Sequence, residues 1–153
     1  MGKIAFTGVQ VLDASGGQPF AGEVLVEGNR IRAVARDGAQ VNREGARIVD
    51  GGGATLMPGL IESHMHCSFL DTDSLEALGF VPVEEHTLRA MQNAKKFLDQ
   101  GFTAGCSAAA AKPRLDIVIR NAINAGDIPG PRMLACTPEL TVSSGLGDVR
   151  LAH

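Results

Sequence analysis

Apolar and polar residues alternate over short runs in the first fifty positions and then settle into longer, helix-like periods, so two textures share one chain. In the first texture, strands are predicted at 4–6, 9–12, 23–27, 30–34 and 47–49, with Gly28-Asn29 as a hairpin turn between two of them. Strands of that length with no helical period between them predict a small antiparallel sheet or half of a sandwich. Roughly fifty residues supply only a thin core, so further strands are expected to complete it.

After Gly51-Gly52-Gly53, strands alternate with helices, which predicts parallel β/α units and places a boundary near residue 53, dividing the chain into 1–53 and 54–153. An apolar run from Ala54 to Met57 is kinked by Pro58-Gly59 and continues through Leu60-Ile61 into His64-Met65-His66. A helix is predicted over 83–100, with Leu88, Met91, Ala94 and Leu98 on the core stripe and Glu85, Arg89, Gln92, Lys96 and Asp99 on another. Gly101 ends it, and a strand follows over 102–107. A second helix over 114–125 carries Asp116, Arg120 and Asn124 on its expected wet side and stops at Gly126, Pro129 and Pro131. The last predicted strand spans 132–136.

Fourteen basic and 17 acidic residues leave a net charge of −3, which argues against a nucleic-acid partner, and the absence of Tyr and Trp removes stacking platforms for bases. Apolar residues make up 44% of the chain and charged ones 20%, which suits a folded core rather than disorder. No basic leader followed by an apolar stretch opens the sequence, and no run approaches the roughly 18 apolar residues of a spanning helix. A cytoplasmic protein with no membrane partner is therefore expected. Cys67, Cys106 and Cys136 are odd in number and widely spaced, as reduced thiols are.

The candidate chemistry lies at His64 and His66. On a strand, residues two apart point the same way with Cα atoms roughly 6.6 Å apart, close enough for two imidazoles to share a divalent ion. Cys67, the strand neighbour of His66, is expected to face away. His86, at a helix start, is expected to be solvated or capping, and Lys112 to anchor a helix start or face water. His153, as the last residue, is expected to fray rather than bind. Gly145-Leu146-Gly147 lacks the Gly-Lys-Ser/Thr ending of a phosphate loop and reads as a flexible mouth loop.

Three stretches, taken in order, resemble the amidohydrolase superfamily, and within it the imidazolonepropionase-related, prolidase-like metal-dependent hydrolases. They are the run from Met57-Pro58-Gly59 to His64-Met65-His66, Gly101-Phe102-Thr103, and Ile128-Pro129-Gly130-Pro131-Arg132-Met133. The resemblance extends to the hairpin Leu25-Val26-Glu27-Gly28-Asn29-Arg30-Ile31 of that family's small sandwich domain. It implies an α/β chain: the N-terminal part of a TIM-like (β/α)8 barrel whose first strand ends in His-x-His, preceded by a small β-sandwich assembled from both chain termini. A whole barrel takes about 250 residues, so residues 54–153 are expected to supply its first three β/α units.

The resemblance also implies the chemistry. His64 and His66 would hold one or two divalent ions, zinc first among them. A bridging carboxylated lysine or its equivalent, two further histidines and the general base would come from later strands. Metal-activated water would then cleave an amide or peptide C–N bond in a dipeptide or other small molecule. Asp148 and Leu146 would line the substrate pocket, together with the loops 68–80 and 137–147. Two alternatives stay open: a deaminase or cyclic-amide hydrolase of the same superfamily, and a catalytically incomplete, non-enzymatic fragment. A complete protein could be a homo-oligomer. Two departures bear on substrate: Thr103-Ala104-Gly105-Cys106-Ser107 replaces the family's Thr-Thr-Val-Arg-Asp, and Leu146 stands where many relatives have histidine in Gly-Gly-His-Gly-Asp. The isolated chain is expected to bind zinc weakly and to hydrolyse nothing at a useful rate, because two ligands fall short of the three or four of a zinc site.

Overall fold

β-branched and aliphatic residues dominate the early strands, and in the computed structural model, which describes residues 2–145 and 148, they build one of two compact units. The first unit ends at Pro58 and the second begins at Gly59. In the first, strands β1 (Lys3–Val11), β2 (Phe20–Glu27), β3 (Arg30–Arg36) and β4 (Ala46–Asp50) form a sheet in the order β3-β2-β1-β4, and the short β5 (Thr55–Leu56) also pairs with β1.

The two strands expected at 4–6 and 9–12 are one continuous β1, interrupted by a register shift between Phe6 and Val9. Gly8 supplies the positive φ of 60° at this bulge. The extra residue changes the inside–outside phase, so Val9 and Val11 cluster with Val24, against Phe6, while Ala5 packs with Leu25 and Val41. Gly28, at φ 61°, occupies the first central position of the β2–β3 turn, the place a type II′ hairpin reserves for glycine.

The sheet is mixed rather than antiparallel, because β4 and β5 both run parallel to β1. The reason is the triple glycine, which lets one edge segment follow β1 twice. Gly51 N–H donates to the Thr7 carbonyl at 2.8 Å, Gly53 N–H to that of Gly8 at 2.6 Å, and pairing resumes at Gln10 with Thr55. Gly52 and Gly53 have φ values of 56° and 87°, which a side chain would oppose.

In the second unit, β6 (Leu60–Met65), β7 (Phe102–Ser107) and β8 (Arg132–Leu134) form a parallel sheet in that order. It is covered by α2 (Val83–Asp99) and α3 (Leu115–Ala125), which pack on each other. The core between them contains Met65, Cys67, Ala90, Ala94, Leu115, Ile119 and Met133. A short helix, α1 (Leu75–Phe80), lies in a stretch read from sequence as loop; the Ser74 hydroxyl caps it by accepting the Ala77 N–H at 3.3 Å.

The buried face of α2 is His86, Ala90 and Ala94, with Met91 and Phe97 at its margin, so the predicted stripe holds at Ala94 and Met91 but not at Leu88. Leu88 is 60% exposed. Alanines four residues apart let the helix approach the sheet closely, and that decides the rotation of α2 more than the larger leucine does. Helix α3 ends at Gly126 in the left-handed region, where Asp127 N–H donates to the Ala122 carbonyl at 3.0 Å. Leu134, beside the buried Met133, is 72% exposed, so the sheet face away from the helices stands open.

Candidate metal centre

His64 lies near the end of β6 and His66 just past it, flanking Met65, which is 1% exposed. Alternation sends Met65 into the core and both imidazoles to the other side. Their Nε2 atoms converge to 3.1 Å, with ring centroids 4.8 Å apart and planes at 76°. Two nitrogens bound to one tetrahedral zinc at about 2.05 Å lie roughly 3.3 Å from each other. The pair therefore fits a divalent cation as two of its ligands with little rearrangement.

The surroundings orient the rings. His66 stacks on Phe69 with centroids 4.3 Å apart, and its Nδ1 faces the Ala109 carbonyl at a long 3.4 Å. A proton on Nδ1 satisfies that carbonyl and leaves the Nε2 lone pair for a cation. The Glu62 carboxylate folds back to accept the His64 backbone N–H at 3.0 Å. Among the described residues, no group of three or more His, Cys, Asp or Glu side chains is arranged to hold a metal ion.

Behind the pair, the structure buries polar groups that the sequence suggested were wet. His86 is fully buried rather than solvated or capping; its Nε2–H donates to the Ser68 carbonyl at 2.6 Å, and its Nδ1 has no hydrogen-bond partner among the described residues. Burial, with Lys112 and Arg89 nearby, lowers its pKa against the opposing pull of the Ser68 carbonyl and Asp116. Lys112 does not face water either: it is 5% exposed and donates to the Gly79 carbonyl at 2.8 Å, at the end of α1. An ammonium there satisfies a last-turn carbonyl and the negative end of the helix, although burial lowers its pKa.

Asp116, expected on the wet side of α3, is fully buried. The Ser107 hydroxyl donates to its Oδ2, and Oδ1 has no hydrogen-bond partner among the described residues. Burial raises its pKa, opposed by the hydroxyls of Ser107 and Ser68 and by His66 and His86 nearby. The sequence does contain a signal for this: Asp116, Ile119 and Ile123 follow helical spacing along the buried stripe. At that position helical periodicity predicts burial and charge predicts exposure, and burial is found.

Cys67 is buried with its Sγ donating to the Ala90 carbonyl at 3.4 Å, and desolvation, with Asp116 nearby, pushes its pKa up to about 12. An inert core thiol suits those surroundings. The Asp148 carboxylate accepts the Ser144 N–H at 2.8 Å within a tight turn. Leu146 and His153 lie outside the described residues.

No family model matches the chain. Over 49 residues it is 45% identical to an imidazolonepropionase of Anaeromyxobacter sp. (strain K), a stretch that covers 30% of this chain and 12% of that protein. Over 66 residues it is 38% identical to a dihydroorotase of Streptomyces coelicolor (strain ATCC BAA-471 / A3(2) / M145), covering 43% of this chain and 14% of the relative. Among solved structures, a prolidase complexed with N-methylphosphonate-L-proline superposes with a TM-score of 0.81 at 26% identity, covering 95% of this chain and 34% of the prolidase. The chain thus spans about a third or less of the length of each of these proteins.

Proposed function

Because the chain belongs to the amidohydrolase superfamily, matching the N-terminal portion of its relatives, we propose that His64 and His66 are two ligands of a divalent metal, zinc first among candidates, in a hydrolase that cleaves amide or peptide C–N bonds. The observation that carries this reading is the convergence of the two Nε2 atoms at 3.1 Å, with Nδ1 of His66 turned to a backbone carbonyl. The first unit serves as part of a β-sandwich lobe, and the second as the opening three β/α units of a (β/α)8 barrel. The exposed sheet face at Leu134 suits a barrel interior that later strands would fill.

His64 and His66 would hold a divalent ion, which would supply Lewis-acid chemistry for activating water and a scissile carbonyl. The residues of this chain do the holding: the end of β6 presents the two imidazoles and Phe69 and Ala109 fix the ring of His66, while Asp148 and Leu146, the latter outside the described residues, are assigned to the substrate side. The prolidase likeness favours a dipeptide as substrate, and the dihydroorotase match supports a cyclic-amide or deaminase reading as the second choice.

Zinc titration of the 153-residue chain against a competing chelator tests the ligand assignment. Weak, one-site binding that is lost in both His64→Ala and His66→Ala is expected. Equal affinity in wild type and both variants would sink it. For the reaction, the protein expressed from its natural gene is assayed with Xaa-Pro dipeptides and a cyclic amide. Turnover of the dipeptides alone supports the prolidase-like reading, turnover of the cyclic amide supports the second, and turnover of neither, with metal bound, overturns both.

A further inference from the structure

We propose that Asp116 is a positioning residue for His66, acting through Ser107 and the segment that follows β7; the idea rests on the assignment of His66 as a metal ligand. The path runs through hydrogen bonds. Asp116, in the first turn of α3, accepts the hydroxyl of Ser107, the last residue of β7. Ser107 lies in register with Met65, the residue between the two histidines, and Ala108 N–H donates to the Met65 carbonyl at 2.9 Å. One residue further on, the Ala109 carbonyl receives Nδ1 of His66.

The far end of this segment is also tied. The Ser68 hydroxyl accepts the Ala111 N–H at 2.8 Å, while the Ser68 carbonyl is held by His86 at 2.6 Å. Ala109, Ala110 and Ala111 are 1%, 3% and 3% exposed, so the carbonyl facing His66 sits in a buried stretch anchored at both ends. Asp116 supplies one anchor.

An acid in the first turn of a helix is ordinarily explained by the helix dipole. That account asks only for an exposed carboxylate. Here the carboxyl is fully buried with one oxygen unpartnered, an arrangement that costs stability compared with an apolar residue. The bond it accepts from Ser107 reaches across to a strand end two residues from the carbonyl that sets the ring of His66, and the Ser68 hydroxyl, which ties Ala111 beyond that carbonyl, also acts on its carboxyl. Fixing that carbonyl holds the Nδ1–H tautomer and leaves Nε2 bare for a cation.

Nitrogen NMR of the imidazole rings, on the full 153-residue chain without metal at about pH 8, reads the tautomer directly. Wild type is expected to hold His66 in the Nδ1–H form. Ser107→Ala and Asp116→Ala are expected to mix the tautomers and weaken zinc binding about tenfold. Asp116→Asn, whose amide oxygen still accepts from Ser107, is expected to restore both. An unchanged tautomer and unchanged zinc affinity in Ser107→Ala would overturn the proposal, and Ser107→Ala, which removes a single oxygen, decides the matter if Asp116→Ala does not fold. The two readouts separate the hypotheses: failure of wild type to bind zinc through His64 and His66 removes the metal reading, whereas the tautomer still reports whether Asp116 orients His66.

Discussion

Among the described residues each unit buries one acid, and the two acids are handled in opposite ways. In the first unit, Glu23 is 9% exposed and both oxygens are satisfied: Oε2 accepts the Val41 N–H at 3.2 Å and Arg43 Nε at 3.3 Å, and Oε1 accepts Arg43 Nη2. The Arg43 guanidinium overrides desolvation and holds its carboxyl below the usual range. In the second unit, Asp116 has a hydroxyl in place of a cation and one oxygen left over, and burial raises its pKa. Glu23 ties a loop to a sheet. Asp116 sits where burial disfavours its charge, and it touches a strand end beside the histidine pair.

The comparison can be broken by experiment. As a yardstick, Leu115→Ala, next to Asp116 and 2% exposed, should cost about 2–5 kcal/mol in denaturant unfolding, more than the loss of either acid. Glu23→Ala leaves the Val41 N–H unpaired and should cost about 1–3 kcal/mol by the same measurement. Asp116→Asn, which removes a charge that burial disfavours, should be neutral or stabilising by up to about 1 kcal/mol. A larger loss for Asp116→Asn than for Glu23→Ala would reverse the contrast.

Acid titration sharpens the same contrast through its sign. Glu23, with a folded pKa lowered from 4.5, contributes stability that is present above that value and is lost as pH falls through the folded pKa. Asp116, with a folded pKa raised from 3.8, does the opposite: its folded form keeps a proton the unfolded chain has given up, so stability is regained as pH falls through the folded pKa toward 3.8. Unfolding midpoints followed from neutral pH into acid should therefore fall less steeply in Glu23→Gln and more steeply in Asp116→Asn than in wild type. The smallest effect is expected at His64, which is exposed: His64→Ala should stay within about 0.5 kcal/mol of wild-type stability while losing zinc binding in the chelator titration.

Period and punctuation made much of the second unit legible. Helix ends at Asp99 and Ala125 fall where Gly101 and Gly126 stop the pattern, and β7 spans the six residues expected. Two histidines separated by one strand residue could be read as a converging pair, because strand alternation is local geometry. The bulge at Gly8, the parallel run of β4 and β5 along β1, and the cap of α1 at Ser74 were not read from the pattern. The bulge and the parallel run depend on which strand edge is free when the chain returns to it.

Local sequence thus determined the strand–helix alternation, the glycine stops and the His64–His66 pair, since each depends on residues within a turn or two of one another. Tertiary structure alone decided that His86, Lys112 and Asp116 lie inside, that Leu88 lies outside, and that the Ala109 carbonyl faces the ring of His66. A polar or charged side chain is buried or exposed according to what packs over it, and the hydrogen-bond partners of Asp116, His86 and Lys112 lie 9, 18 and 33 positions away along the chain.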